Sequence, residues 1–413
     1  MRGLVAAALL ASVATTALVS APAQAAVPNT TNITAVGSDT TQDVMATILG
    51  LTTPGAGTGL YNVKAQQSPA LAIPADATCP TGITFDTPAG VGEVLAPNGS
   101  GAGRNALKAE ETAGPGSTPR GCVDMARSSG SPRGLATDGA NMEYYAYAMD
   151  SVAIVTASPY APGSISQGDL LKIYNCTFSD WAQLPGGGSG PIQRYIPNLA
   201  SSGTASFFKS DLIGGFDATT ISQPAGGVPG SAYACPPVIV TGEENDFKNI
   251  ITANHDSAIL PFSVGQWLFM SKLRLNPTLD LRYGTRVVGQ VTATAVNANT
   301  IRWEPLNSNY VVNAGTTPAT PVNEANIKVN TPAPDFYGIR YVYNVADTVV
   351  LDYGDVKSLV GFTNVAAGTK SALCSAGFAS TISSAGFQPL TAAGNPGDGS
   401  HNLAGSTCRK YIN

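Results

Sequence analysis

Short apolar runs alternate along this chain with small hydroxyl-rich turns and with segments whose apolar residues recur at helical spacing. Ile33-Thr34-Ala35-Val36 reads as a strand, Gly37-Ser38-Asp39-Thr40-Thr41-Gln42-Asp43 as a turn, and Val44, Met45, Ile48 and Leu49 as one face of a helix. The same order returns over residues 192–213. Ile192, Arg194, Tyr195 and Ile196 favour a strand until Pro197 removes a ladder donor. Ser201-Ser202-Gly203-Thr204 then leads into Phe207, Phe208, Leu212 and Ile213 at helical spacing. A third turn, Pro97-Asn98-Gly99-Ser100-Gly101-Ala102-Gly103, precedes strong helix formers over residues 104–111. A fourth segment joins a strand end, Val123-Asp124-Met125-Ala126, to a loop with two cations among hydroxyls, Arg127-Ser128-Ser129-Gly130-Ser131-Pro132-Arg133.

The remaining pattern predicts further strands over residues 152–155, 236–240, 258–262, 286–291, 300–303 and 339–344. Helices are predicted over residues 170–174, 246–253 and 355–362, and residues 345–351 fit either state. Short strands alternating with helices imply α/β units and a mostly parallel sheet with helices on both faces.

Composition sharpens this picture at the chain's ends and in its partners. Met1-Arg2-Gly3, an apolar run over residues 4–19 and small residues at Ala23 and Ala25 form the pattern of a secretory signal peptide. No cysteine lies at the cleavage point, so a secreted protein without a lipid anchor is expected. The chain beyond it exceeds one ordinary core, which favours two lobes. With 22 basic against 27 acidic residues and a net charge of −5, nucleic acid and anionic membrane surfaces are poor partners, since both select basic patches. The cysteines Cys79, Cys122, Cys176, Cys235, Cys374 and Cys408 follow an export signal, and sequential disulfide pairing closes each loop within one lobe. No C-x-x-C pair or histidine cluster accompanies them, so no metal or cofactor is expected. Only His255 and His401 occur, and no Gly-x-Ser-x-Gly elbow, so no catalytic residues are assigned and a hydrolase is not the expected class.

Each hydroxyl-rich turn alone is an ordinary helix cap. Four of them together have a joint chemistry. In open α/β sheets, loops beyond the carboxyl ends of strands converge on one crevice, where helix N-termini and free N–H groups favour an anion. Hydroxyls and amides can satisfy the oxygens of a tetrahedral oxyanion, and a guanidinium can add bidentate charge.

At these residues the chain resembles the phosphate-binding proteins of bacterial ABC importers, of the type II periplasmic-binding-protein fold. The resemblance rests on Gly37-Ser38-Asp39-Thr40, on Asn98-Gly99-Ser100-Gly101-Ala102-Gly103, and on Asp124-Met125-Ala126-Arg127-Ser128-Ser129. Ser202-Gly203-Thr204 and, near the end, Ala385-Gly386-Phe387-Gln388-Pro389-Leu390 complete it. It implies two lobes closing over an anion: a signal peptide over residues 1–25, lobe 1 over 26–147 and 262–413 with a β-rich insertion at about 280–330, and lobe 2 over 148–261. Crossings are expected near residues 148–151 and 258–262. The implied ligand site comprises Ser38, Asp39, Thr40, Ser100, Gly101, Arg127, Ser128, Ser129, Ser202, Gly203 and Thr204. Inorganic phosphate or a similar oxyanion is the implied ligand, an ABC permease the implied partner, and a monomer the implied state. The chain departs from the family's pattern twice. Ser129 stands where an acidic acceptor is usual, leaving Asp39 to replace it, and Asn198 stands where an arginine is usual. That leaves the cationic role to Arg127, Arg133 or Arg194, or points to an anion other than phosphate. A secreted or surface interaction protein on the same fold is the alternative reading.

Overall fold

The structure, a computed structural model, describes residues 32–49, 60–64, 70–86, 94–112, 122–197, 200–213, 230–241, 253–270, 281–291, 338–350, 352–360, 373, 376–390, 392–393 and 407–412. The signal segment, Asn198, Cys374, residues 300–303 and all but the last residue of 246–253 lie outside them.

Among the described residues the first half supplies β1 (Ile33–Gly37), β2 (Leu60–Asn62), β3 (Leu71–Ile73), β4 (Ile83–Asp86), β5 (Val94–Leu95), β6 (Met125–Ser128), β7 (Met142–Thr156) and β8 (Ser164–Ser166). The second half supplies β9 (Gln193–Pro197), β10 (Ile239–Thr241), β11 (Ala258–Ser263), β12 (Arg286–Val291), β13 (Ile339–Asp347), β14 (Gln388–Pro389), β15 (Ala392–Ala393) and β16 (Thr407–Ile412). The main sheet runs β10-β9-β11-β7-β13-β6-β1-β2, and β3-β4-β5 form a small separate sheet. The expected parallel pairing holds at both ends of the main sheet, where β6, β1 and β2 are parallel, as are β10, β9 and β11. Its middle is antiparallel, because β7 pairs with β11 on one side and β13 on the other in that sense, and β13 pairs so with β6.

β7 is the spine of this arrangement. It spans 15 residues, where the sequence pattern marked only residues 152–155 as a strand. Its first part, Met142-Glu143-Tyr144-Tyr145-Ala146-Tyr147-Ala148-Met149, is aromatic and buried almost throughout, so neither face shows the alternation that marks a half-exposed strand. The strand pairs with β13 as far as Ser151 and with β11 from Val152. This change of partners falls at the edge of the residue range expected to cross between lobes.

Beyond it, period-two alternation divides two cores. Val152 and Ile154 of β7 and Ile259 of β11 pack in one cluster around Trp181, Tyr174 and Phe208. Ala153, Val155 and Leu260 face the other, larger cluster. Val288 on β12 joins the first of these, although its segment was expected to belong to an insertion in the opposite lobe.

Helices α1 (Gln42–Ile48), α2 (Ser100–Thr112), α3 (Leu135–Asp138), α4 (Gln167–Tyr174) and α5 (Gly203–Phe207) follow the turns. Two begin earlier than their helix-forming residues suggest. Ser166 caps α4 by accepting from Asp169 N at 3.0 Å. In α2 the first turn includes glycines for a packing reason: a Cβ at Gly103 would lie 2.5 Å from Gly37 Cα, so helix and β1 touch backbone to backbone. Val264–Phe269 is a helix, and residues 345–347 extend β13.

Cys79–Cys122 and Cys176–Cys235 are disulfides, with Cα–Cα distances of 4.8 and 5.9 Å. Closing such loops stabilises by about 2–4 kcal/mol each through the unfolded chain. Non-reducing peptide mapping is expected to recover Cys374–Cys408 as a third pair; a free thiol at either position contradicts sequential pairing.

A second prediction concerns Asp124, just before β6, whose Oδ2 accepts from Thr34 N at 2.7 Å. Burial pushes its carboxyl well above the usual range despite that hydrogen bond, and Asp352 and Glu110 raise it further. A raised folded-state value means a contribution that is full below the unfolded value and is lost as pH rises through the folded one. Asp124→Asn keeps an acceptor for Thr34 and removes the ionisation. Its Tm relative to wild type should therefore rise as the pH increases above the ordinary carboxylate range; a pH-independent difference contradicts this.

Candidate functional site

Three of the four hydroxyl-rich turns meet where β1 and β6 end and α2 begins. Ser38 Oγ donates to Ser129 Oγ at 3.1 Å, and Ser129 Oγ lies 3.1 Å from Ser100 Oγ. Ser129 N donates to Ser100 Oγ at 2.9 Å. All three serines are buried. They converge because β1 and β6 are parallel neighbours, bringing Gly37 beside Arg127 and leaving Ser38 and Ser129 just past the register.

The fourth turn arrives from the other half of the sheet. Gly203 sits against the serines so closely that a Cβ there would lie 2.5 Å from Ser100 Oγ, 2.6 Å from Gly130 N and 2.7 Å from Ser129 Oγ. Beside it, Thr204 Oγ1 lies 3.3 Å from Thr40 Oγ1, and Gly101 N donates to Ser201 O at 2.7 Å. Ser202 caps α5, accepting from Ala205 N at 2.8 Å, so an acceptor site of its oxygen is engaged by the helix. Ser128 closes its own turn, donating to Gly130 O at 2.7 Å.

The arginines expected to supply charge are engaged elsewhere. Arg127 is buried, but its guanidinium turns back beneath β1. It donates to the carbonyls of Ala35, Gly37, Ser38 and Val63 and to Asn62 Oδ1, at 2.6–3.3 Å. Burial pulls it down to about 10, partly offset by the charge of Asp39. Expected as a ligand contact, it instead ties β1 to β2. Arg133 pairs with Asp138 at 2.5 Å, and Arg194 donates to the carbonyls of Tyr174 and Pro236 beside the core that holds Trp181. Asp39 opens the 3₁₀ turn Asp39–Thr41 and is buried, within electrostatic reach of Arg127.

Two residues that the sequence pattern did not single out stand at the site. Arg340 on β13 donates through Nη2 to Thr204 Oγ1 at 2.9 Å. It also donates to Asp150 Oδ2, through Nε at 3.2 Å and Nη2 at 2.9 Å. Asp150 lies on β7 directly opposite Arg340 in the strand register. Its other oxygen accepts from Ser263 Oγ at 2.8 Å and Gly265 N at 3.0 Å, where β11 passes into the helix Val264–Phe269. The available signal was an acid in Met149-Asp150-Ser151-Val152 and a base in Ile339-Arg340-Tyr341-Val342, opposite charges each set in a buried stretch of strand.

The contacts of this site come from both halves of one sheet. A family model for the PBP superfamily domain matches residues 22–268, more than half of the chain, and the chain belongs to that superfamily. No curated protein sequence matches it. Among solved structures it is similar to a Clostridium perfringens protein with bound phosphate, at 14% identity, covering 87% of this chain and 99% of that one, with a TM-score of 0.48. It is similar also to an ABC-type phosphate transport receptor from Vibrio cholerae, at 15% identity, 86% and 99% coverage and a TM-score of 0.42. A phosphate-binding protein from Stenotrophomonas maltophilia shows 17% identity, 88% and 91% coverage and a TM-score of 0.44.

Gly203 yields a direct test of the packing. Gly203→Ala places a methyl against two serine hydroxyls and a backbone amide, costing the contact about 1–3 kcal/mol. Hydrogen–deuterium exchange should then accelerate in peptides carrying Gly101 N and Gly130 N. Unchanged protection contradicts the close approach.

Proposed function

We propose that this protein is a secreted binding protein that captures a tetrahedral oxyanion, inorganic phosphate, and hands it to an ABC-type permease without chemical change. The observation that carries this reading is the convergence of buried hydroxyls from separate turns, Ser38, Ser100 and Ser129 with Thr40 and Thr204. Hydroxyls packed against one another in a buried place make weak neutral bonds, whereas the same groups facing an anion make charge-assisted ones about twice as strong. The N-terminus of α2 adds a favourable dipole. The anion's oxygens would take over the bonds these hydroxyls now make to one another.

The two-lobe division uses the crossings read from the sequence, residues 148–151 of β7 and residues 258–262 of β11, with β12 moved to the lobe whose core Val288 joins. It is supported by the change of partners on β7 after Ser151. Residues such as Thr40 and Thr204 would then belong to opposite lobes, and ligand binding would favour the closed arrangement. Among the described residues no helix is long and apolar enough to cross a membrane.

Selectivity would rest on Asp39. Hydrogenphosphate carries a proton at neutral pH and can donate to a buried carboxylate, while sulfate can only be repelled by it. Calorimetric titration of the wild type is expected to show phosphate binding stronger than sulfate. Thr204→Val should weaken phosphate by about 1.5–3 kcal/mol, roughly one to two decades. Asp39→Asn should narrow the phosphate-to-sulfate ratio more than it weakens phosphate. No heat with either anion contradicts the function, and an unchanged ratio removes Asp39 from the site.

A further inference from the structure

An oxyanion buried among neutral hydroxyls needs a positive partner, and the three arginines that the sequence pattern offered for this role are engaged elsewhere. We propose that Arg340 is the guanidinium that meets the anion, held in place by Asp150; this rests on the oxyanion reading of the site. The residue lies beyond the residues matched by the superfamily model and carries no motif.

The geometry follows from the planar shape of the group. A guanidinium offers two forks, one formed by Nε with Nη2 and one by Nη1 with the outer hydrogen of Nη2. Asp150 Oδ2 occupies the first, taking bonds from both Nε and Nη2. The second fork faces Thr204, since Nη2 donates to Thr204 Oγ1 at 2.9 Å. Nη1, on that same edge, is buried and has no hydrogen-bond partner among the described residues. A buried donor of this kind is costly unless something accepts from it, and a charged donor more so. An oxyanion beside the Thr204 hydroxyl would accept from Nη1, and Thr204 would be shared between the anion and Arg340.

Asp150 sets the position of the group. Arg340 and Asp150 face each other across the β7–β13 pairing, the arginine side chain is 2% exposed, and its Cζ lies over the ring of Phe207 of α5, 5.8 Å from the centroid. The carboxylate cancels most of the net charge, so the pair offers direction more than field strength. Two consequences follow. The site should favour an anion able to take a fork of two donors, and lysine should be a poor replacement, because it keeps the charge and loses the fork.

The test titrates inorganic phosphate into the wild type, Arg340→Gln, Arg340→Lys and Arg133→Gln by calorimetry, with circular dichroism melts to confirm folding. Arg340→Gln is expected to weaken phosphate by about 10- to 100-fold, and Arg340→Lys to recover only part of that loss. Arg133→Gln, whose partner is Asp138, should bind as the wild type does. If the glutamine variant fails to fold, the lysine variant decides. Wild-type affinity in a folded Arg340→Lys or Arg340→Gln protein overturns the role of Arg340. A wild type that takes up no phosphate overturns the oxyanion reading itself.

Discussion

Asp150 is the constraint on which the rest of the arrangement depends. One fully buried carboxylate receives four donors from two separate chain segments: Nε and Nη2 of Arg340 on β13, and, where β11 passes into the following helix, the hydroxyl of Ser263 and the amide of Gly265. It sits on β7 one residue before the last pair that the strand makes with β13. A buried ion pair seldom adds much to stability over an apolar alternative, because desolvation opposes the attraction, but removing one member leaves an uncompensated charge. Its value here is positional. It fixes the strand that both halves share, the start of the helix Val264–Phe269, and the guanidinium that reaches Thr204.

From that point the contacts run outward in sequence. Arg340 bonds Thr204, Thr204 meets Thr40, and Thr40 follows Ser38, which bonds Ser129 and through it meets Ser100. Ser129 occupies the centre as a neutral hydroxyl, able to donate and accept, where the resembling family has an acid. Charge nearby comes from Asp39, whose carboxylate acts electrostatically on Arg127, and from Arg340 against Thr204. On the oxyanion reading, such hydroxyls and amides would act as oriented dipoles that cost little reorganisation when an anion arrives, with Arg340 supplying the charged contact.

How much of this was legible in the sequence divides along physical lines. The strand, hydroxyl turn and helix near Ser38 and again near Ser202 are local features, with alternation, breakers and caps contained in a few residues, and both are present in the structure. The full length of β7 was not legible, because a strand buried on both faces loses its alternation. The antiparallel centre of the sheet was not legible either, since pairing sense depends on partners far away in the chain. Arg127 was misassigned because a cation among serines looks the same whether its guanidinium faces a ligand or turns back to carbonyls. Arg340 and Asp150 were missed because a motif is local, whereas their partnership is a register match across 190 residues.

The central claim is that buried hydroxyls from both halves of the sheet, with Arg340 behind Thr204, form one oxyanion site. A crystal structure grown with inorganic phosphate tests it most directly. The account predicts one anion touching Ser38, Ser100 or Ser129 on one side and Thr204 on the other, with Arg340 Nη1 within hydrogen-bond distance. Phosphate bound elsewhere on the molecule, or these hydroxyls still bonded to one another beside an Arg340 that faces away, would contradict it.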